Sequence, residues 1–474
     1  MAQEIKTSRP GAPLDGAVVQ KFRASVRGQV IGPNDAGYDE TRKVFNGMID
    51  RRPALIARCA DAADVQHAVT FAGEQGLLLS VRAGGHSVNG YGVCDGGLMI
   101  DLSPMKGIQV DPQAQTAVAE PGVVWGEFDA ATQEHGLAVT GGRIPGTGVA
   151  GLTLGSGSGW LERKLGYTVD NLLGAEVVTA DGRLVRASED ENQDLFWGLR
   201  GGGGNFGIAT SLRFKLHRIG PIVYGGMLAF TRDRAREILR TYHGFMETAP
   251  DDVGGALALI TAPPEPFVPQ DVQGKPVIAM IVCYTGDPAD GDKAIRPLLD
   301  LDPALRMVQP MPYVAVQYLL QPMNPPGMRN YWKAEMYPEL PEAALDTLID
   351  AAAEPPSPLT TIIVQPLGGA VHRVPDDATA IGWRSAKWAL HILGMWPDAN
   401  EDDRNIAWVR NVAQAVTPWA QDGAYLNYLM DEGEQAVRDS FGRHYQRMVD
   451  LKNKYDPTNL FHMNQNIKPN GARP

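Results

Sequence analysis

Cysteine is scarce in this chain of 474 residues: Cys59, Cys94 and Cys283 are the three, and they lie far apart. That spacing gives neither a zinc-ligand pattern nor a disulfide framework. No metal site is expected, and Cys94 reads as a free thiol. Positive charge is also in deficit, with 43 Lys and Arg against 55 Asp and Glu and a net charge of −12. That balance excludes nucleic acid and anionic membranes as expected partners. No hydrophobic run reaches the length of a membrane span. Residues 1–16 lack the apolar core of a signal peptide, so the expectation is a cytoplasmic protein, monomeric or homodimeric. No short repeat or low-complexity tract is present. A hydrophobic content of 44% and a charged content of 21% describe ordinary globular protein, long enough for more than one domain.

Glycine, by contrast, is plentiful and clustered: 53 residues. The first cluster stands in Val81-Arg82-Ala83-Gly84-Gly85-His86-Ser87. Residues 54–58 and 77–81 read as strands. Between them Asp61 can cap a helix whose apolar face is Val65, Ala68, Val69 and Ala72, stopped by Gly76. The strand–helix–strand unit ends at the Gly84-Gly85 turn, which allows close approach of a ligand and aims backbone N–H groups at an anion. His86 is delivered to the same place as a neutral nucleophile or proton carrier.

The second cluster, residues 146–159, contains G-x-G-x-x-G, but Pro145 precedes it where a Rossmann turn needs a strand, and Gly155, Gly157 and Gly159 forbid an extended helix after it. The third is Arg200-Gly201-Gly202-Gly203-Gly204-Asn205-Phe206-Gly207. Three such loops cost much chain entropy, and one elongated anionic ligand, a dinucleotide, accounts for all of them. Glycine loops dominate up to about residue 207, and residues 211–216 alternate like a half-exposed strand. Beyond residue 218 the texture changes to longer strands (222–230, 276–284, 360–365, 387–396, 424–429) and longer helices (232–247, 403–416, 433–453), with proline-rich loops at 263–269 and 321–326. The expected fold is α+β with a domain boundary near 218.

In order along the chain, Arg82-Ala83-Gly84-Gly85-His86, Gly159-Trp160-Leu161, Asp170-Asn171-Leu172, Asp194-Leu195-Phe196-Trp197, Tyr425-Leu426-Asn427-Tyr428, Lys454-Tyr455-Asp456-Pro457 and Asn464-Gln465-Asn466-Ile467 form a combined pattern. It resembles the berberine-bridge-enzyme-like FAD-linked oxidases of the vanillyl-alcohol-oxidase (PCMH-type) superfamily, over nearly the whole chain. The resemblance implies an FAD domain of two α/β subdomains spanning 1–217 and completed by 455–474. It also implies a substrate domain at 218–454, with a large antiparallel sheet covered by helices. It implies FAD bound covalently through His86, with cofactor contacts from Arg82, Ala83, Gly84, Gly85, Ser87, Gly146, Thr147, Gly148, Gly151, Leu152, Gly155, Ser158, Gly207, Ile208, Tyr425, Asn427, Asn464 and Asn466. Many relatives add a second link from a cysteine; Ile144 stands at that place here, so a single bond through His86 is expected.

The family's catalytic base matches Tyr428. If residues 424–429 form a strand, Tyr428 and Leu426 face one way and Tyr425 and Asn427 the other. A tyrosine base needs a cation or strong donor to bring its pKa down from about 10, and His391, Arg384, Lys387 and Gln365 are the candidates. Gln365 and His391 are also candidate substrate contacts, Gln365 because it shares a strand face with Thr361 and Ile363. The resemblance implies hydride transfer from a small alcohol, sugar or heterocyclic amine to FAD, with reoxidation by O2 to hydrogen peroxide. A dehydrogenase, an N5-oxide-type oxygenase and a non-catalytic binding protein are the alternatives. Val88 and Ser158 stand where carbohydrate-oxidising relatives carry tyrosines. Thr147, with Leu152 nearby, stands where relatives tune oxygen access.

Overall fold

The computed structural model describes residues 14–266 and 268–471. Residues 1–13 of the N-terminal stretch, Phe267 within the expected loop 263–269, and the last three residues of the tail lie outside the described residues. Strands β1 (Gln29–Ile31), β2 (Leu55–Arg58), β3 (Leu79–Arg82) and β4 (Leu98–Asp101) form a sheet in the order β1-β2-β4-β3. Both β2 and β3 run parallel to β4, so the chain must cross over between them. The helix Ala62–Gln75 makes that crossing. Asp61 accepts a bond from the Asp64 N–H at 3.0 Å, the face Val65, Ala68, Val69 and Ala72 is buried, and Gly76 ends the helix at φ +61°. The strand β3 then runs straight into the first glycine turn.

The next strands are β5 (Ile108–Asp111), β6 (Thr116–Ala119), β7 (Leu137–Ala138), β8 (Leu172–Val178), β9 (Leu184–Ser188), β10 (Ile208–Lys215) and β11 (His217–Arg218). Five of them form an antiparallel sheet, β5-β6-β10-β8-β9, and β7 pairs with β11. The second glycine cluster holds only the six-residue helix Val149–Leu154, entered from a loop, which removes the Rossmann reading. Strands β8 and β9 and the helix Gln193–Leu199 occupy a stretch whose sequence shows chiefly glycine loops.

The third layer is a seven-stranded antiparallel sheet of β12 (Ile222–Thr231), β13 (Val253–Thr261), β14 (Pro276–Tyr284), β15 (Leu305–Pro312), β16 (Arg329–Tyr337), β17 (Thr361–Pro366) and β18 (Trp388–Trp396). Its order is β15-β12-β14-β13-β17-β18-β16. Side chains alternate across it. Leu228, Leu257, Met280, Ile362 and Ile392 point to one face and pack on Ile238, Leu345 and Val409 of the covering helices Ala235–Thr248, Glu342–Ala351 and Asp402–Val416. Each such fully buried side chain contributes roughly 1.5–3 kcal/mol. The opposite face, with Ile363, His391 and Leu393, looks toward the glycine loops.

Two expectations need correction. Residues 424–429 are not a strand. The Tyr428 and Leu429 N–H groups both bond to the Tyr425 carbonyl, at 2.9 and 3.1 Å, closing a turn, and the alternating facing read from a strand does not apply. The helix expected at 433–453 is two helices, Gly433–Phe441 and Tyr445–Tyr455, broken where Gly442 adopts φ +50°. This last stretch folds back on the first half of the chain. Leu426, Phe441, Met448 and Ile467 share an apolar cluster with Trp125, Phe206 and Phe214. Among the described residues, no helix is long and apolar enough to cross a membrane.

Candidate active site

All three glycine loops open onto one cavity of about 360 Å³ between the first half of the chain and the inner face of the large sheet. Gly84, Gly85, Gly148, Gly151, Gly155, Gly203, Gly204 and Gly207 line it. The first two loops touch backbone to backbone: a Cβ on Gly84 would stand 2.4 Å from the Gly148 nitrogen, and one on Gly148 would stand 2.6 Å from the Gly84 nitrogen. Neither position tolerates a side chain without moving backbone. A Cβ on Gly151, Gly203 or Gly204, in contrast, would meet no protein atom within 4 Å. These wall positions are bare toward free space, as a backbone cradle for a large ligand requires.

His86 lies in the wall beside the first loop, stacked on Phe45 at a centroid distance of 4.0 Å. Burial pushes its pKa down to about 4, so the imidazole is neutral across the physiological range and keeps a free lone pair. Arg82, Ala83, Ser87, Thr147, Leu152, Ser158, Ile208, Asn427 and Asn464 also line the cavity, as do Val88 and Ile144. The Asn464 amide donates to the Gly204 carbonyl at 3.2 Å, and its side-chain oxygen has no partner.

Four of the expected residues do not reach the cavity wall: Gly146, Tyr425, Gln365 and Asn466 are absent from its lining. Tyr425 works from behind, its hydroxyl accepting from the Ser158 N–H at 3.1 Å and from the Asn427 amide at 2.8 Å. Gln365 shares the inner sheet face with Thr361 and Ile363, but its amide donates to Ser158 and Glu162 behind the wall. The Asn466 side-chain oxygen is buried without a partner. Cys94 is also away from the wall, fully buried with its thiol near the Leu98 carbonyl.

Tyr428 closes the cavity on the side of the sheet. His391 lies flat on its ring, with centroids 3.7 Å apart and planes 13° off parallel. His391 is 4% exposed, and its Nε2 has no hydrogen-bond partner in the protein. Burial, with Arg143 adding to it, holds this imidazole well below its usual pKa and therefore neutral. The Tyr428 hydroxyl receives a hydrogen bond from Nη1 of Arg143 at 3.3 Å. Burial raises the phenol above its ordinary range, and Arg143 is the largest influence pulling the other way.

Arg143 was not among the expected partners of Tyr428, and it replaces them. Arg384 is committed to Asp170 and Thr379, Lys387 pairs with Glu339 at the surface, Gln365 is turned to Glu162, and His391 carries no charge. Arg143 is held by Glu162, whose Oε1 accepts from Nη2 at 3.1 Å, and its guanidinium lies 4.9 Å from the Trp160 ring centroid. Glu162 in turn accepts from Ser158 and from the Gly159 N–H. Burial pushes its carboxyl up, and these donors with Arg143 and Gln365 oppose that. The sequence signal for Arg143 was available: it is a basic residue inside the glycine-rich segment Gly141-Gly142-Arg143-Ile144-Pro145. Glu162 gave no signal, because a lone acid after Trp160-Leu161 looks like a helix start.

The Leu429 carbonyl, one residue past Tyr428, is held from two segments far apart in sequence. It accepts from the Asn89 amide at 2.9 Å and from the Gln465 amide at 2.6 Å. The third glycine loop is fixed by Lys452, which donates to the Asn205 and Phe461 carbonyls and pairs with Asp456 at 2.7 Å.

Known proteins resemble this chain over most of its length. The family profile described as "FAD binding domain" matches residues 53–188, and the one described as "Berberine and berberine like" matches residues 424–468. An FAD-linked oxidoreductase of Dictyostelium discoideum is 30% identical, over 95% of this chain and 97% of its own. The (R)-6-hydroxynicotine oxidase of Paenarthrobacter nicotinovorans is 30% identical, over 94% and 98%. The solved structure of xylooligosaccharide oxidase from Myceliophthora thermophila, in complex with xylobiose, superposes with a TM-score of 0.84 at 26% identity, over 96% of this chain and 99% of that one. The glycine cradle, the neutral imidazole at its wall and the unpartnered Asn464 oxygen all fit the flavin dinucleotide that such a domain binds. The chain therefore belongs to the berberine-bridge-enzyme-like FAD-linked oxidoreductases of the PCMH-type fold.

Proposed function

We propose that this protein is an oxidase that removes a hydride and a proton from a small hydroxyl- or amine-bearing molecule, with FAD joined to the chain through His86. When bound, FAD would supply the redox chemistry, a hydride acceptor for the substrate carbon that O2 reoxidises with release of hydrogen peroxide. The glycine turns with Ser87, Thr147 and Asn464 hold the dinucleotide, and the neutral His86 side chain offers the nitrogen for a single bond. No cysteine stands at Ile144 to make a second. Tyr428 takes the proton from the substrate hydroxyl or amine, and Arg143 favours the phenolate that must form for this. His391 presents Nε2 as a fixed hydrogen-bonding group for the same substrate, so that the reacting C–H is held in one orientation.

The contact between Arg143 and Tyr428 carries this reading. It supplies the cation that a tyrosine base requires, at the mouth of a cradle built for a dinucleotide. Two measurements test it. Acid precipitation of the purified holoenzyme leaves the yellow colour in the pellet, and His86→Ala releases it into the supernatant. Turnover under air yields one peroxide per substrate oxidised. A soluble chromophore in the unaltered protein would remove the covalent link. Substrate oxidation without peroxide would favour the dehydrogenase or oxygenating alternatives; the small polar Thr147 at the cavity wall suits the oxygenating one.

A further inference from the structure

A second cleft of about 50 Å³ adjoins the main cavity, and the two share Leu320, Asn324, Ile363 and Leu393 as lining residues. Asn324 and Thr361 are its polar residues; the other side chains lining it are apolar or aromatic. Its floor is read from the register of the large sheet. His391 pairs with Ile363, Ile363 with Ala258, and Ala258 with Ala279, all on the inner face. One cross-strand row therefore runs from the polar contact at Tyr428 and His391, over a branched side chain, onto two alanines. With strands about 4.8 Å apart, that row is roughly 14 Å long. Its alanines leave room where larger side chains would fill the sheet surface. Met227, Met323 and Met395 form the flanks, and methionine adapts to the shape of what it contacts. A saccharide would bring many hydroxyl groups to a cleft whose polar partners are Asn324 and Thr361, and those left unmatched would be desolvated without compensation.

Building on the oxidase reading above, we propose that the substrate carries a slender linear apolar arm, an alkyl or alkenyl chain. Its hydroxyl or amine end sits at Tyr428 and His391, and the arm lies along Ile363, Ala258 and Ala279 between the methionines. The arm supplies affinity by burial, and the cleft selects for chain length.

The test uses the holoenzyme and the linear primary alcohols from butanol to dodecanol under anaerobic conditions. Binding is read by fluorescence, with Trp160 in the cleft wall as reporter, and oxidation is read separately by bleaching of the flavin. Affinity should rise about three- to fourfold for each added methylene and stop rising at the chain that reaches Ala279. Ala258→Phe should abolish the gain per methylene beyond the shortest alcohols. Met227→Ala, which opens the cleft on the strand beyond Ala279, should move the end of the rise to longer chains, and it serves should the first variant fail to fold. A flat series in the unaltered protein, or the same slope and end point in both variants, overturns the proposal. Tight, length-dependent binding without bleaching would keep the cleft and overturn alcohol oxidation. Bleaching without length dependence would do the reverse.

Discussion

The Arg143–Glu162 and Lys452–Asp456 ion pairs are both removed from solvent, and they differ in what each leaves unsatisfied. The side chains of Lys452 and Asp456 are 0% exposed. All three ammonium donors of Lys452 are used, on Asp456, Asn205 and Phe461. Asp456 also accepts from the Leu460 and Phe461 N–H groups at 2.8 and 2.9 Å. Nothing is left over, and the pair fixes a loop. Arg143 and Glu162 are nearly as buried, at 7% and 4% exposure, yet the Arg143 Nε has no partner and its Nη1 is turned to Tyr428 at the cavity. A saturated buried pair serves architecture; an unsaturated one that faces a cavity has charge to spend on a reaction.

The sharpest way to break this comparison is to remove the phenol that Arg143 addresses. Tyr428→Phe should slow flavin reduction by roughly 10²–10⁴-fold, as for a lost general base, while rapid-mixing absorbance still records a bound flavin. Next in size, Lys452→Met should lower stability by about 3–5 kcal/mol, since Asp456 is left buried and unpaired; the unfolding midpoint in denaturant reports it. Arg143→Gln should slow reduction by at least roughly tenfold and change the pH profile. Tyr428 already titrates above its ordinary range because it is buried, so the rate should rise with pH through neutrality. Removing the cation destabilises the phenolate further, so the inflection should move to still higher pH. An unmoved profile would separate Arg143 from the proton transfer. The smallest effect is expected from Gln365→Leu, which removes one donor from Glu162. A loss of about 1 kcal/mol in stability and a few-fold change in rate would place Gln365 as a support for the pair, whereas a large fall in substrate affinity would place it at the substrate.

Much of the fold was legible because local signals agreed with the tertiary result. Asp61, the face Val65 to Ala72 and Gly76 bracket the helix Ala62–Gln75 correctly, and the apolar run at 276–284 is β14. Failures came where tertiary contacts override pattern. Strand β13 carries Gly254 and Gly255 directly after its first residue, Val253, and the pair looks like a turn. Strands β15 and β16 are the two edges of the large sheet, and their prolines (Pro310 and Pro312) or charges (Arg329, Lys333 and Glu335) disguise them. Tyr425 to Tyr428 has strand composition, yet hydrogen bonds from Asn89 and Gln465 to Leu429 flank a turn there. At the site, the glycine loops, His86 and Tyr428 were readable as motifs. The pairing of Arg143 with Tyr428 joins residues distant in sequence, and no spacing rule encodes it.

The double hold on the Leu429 carbonyl has a consequence for the order of assembly. One clamp, Asn89, closely follows the first glycine turn, whereas the other, Gln465, comes with Asn464 and the Lys452 anchor from a segment beyond the large sheet. The chamber wall therefore depends on contacts of long sequence separation, which form late in folding. Gln465→Ala combined with Asn464→Ala should lower the ratio of flavin to protein absorbance in the purified protein even with His86 intact.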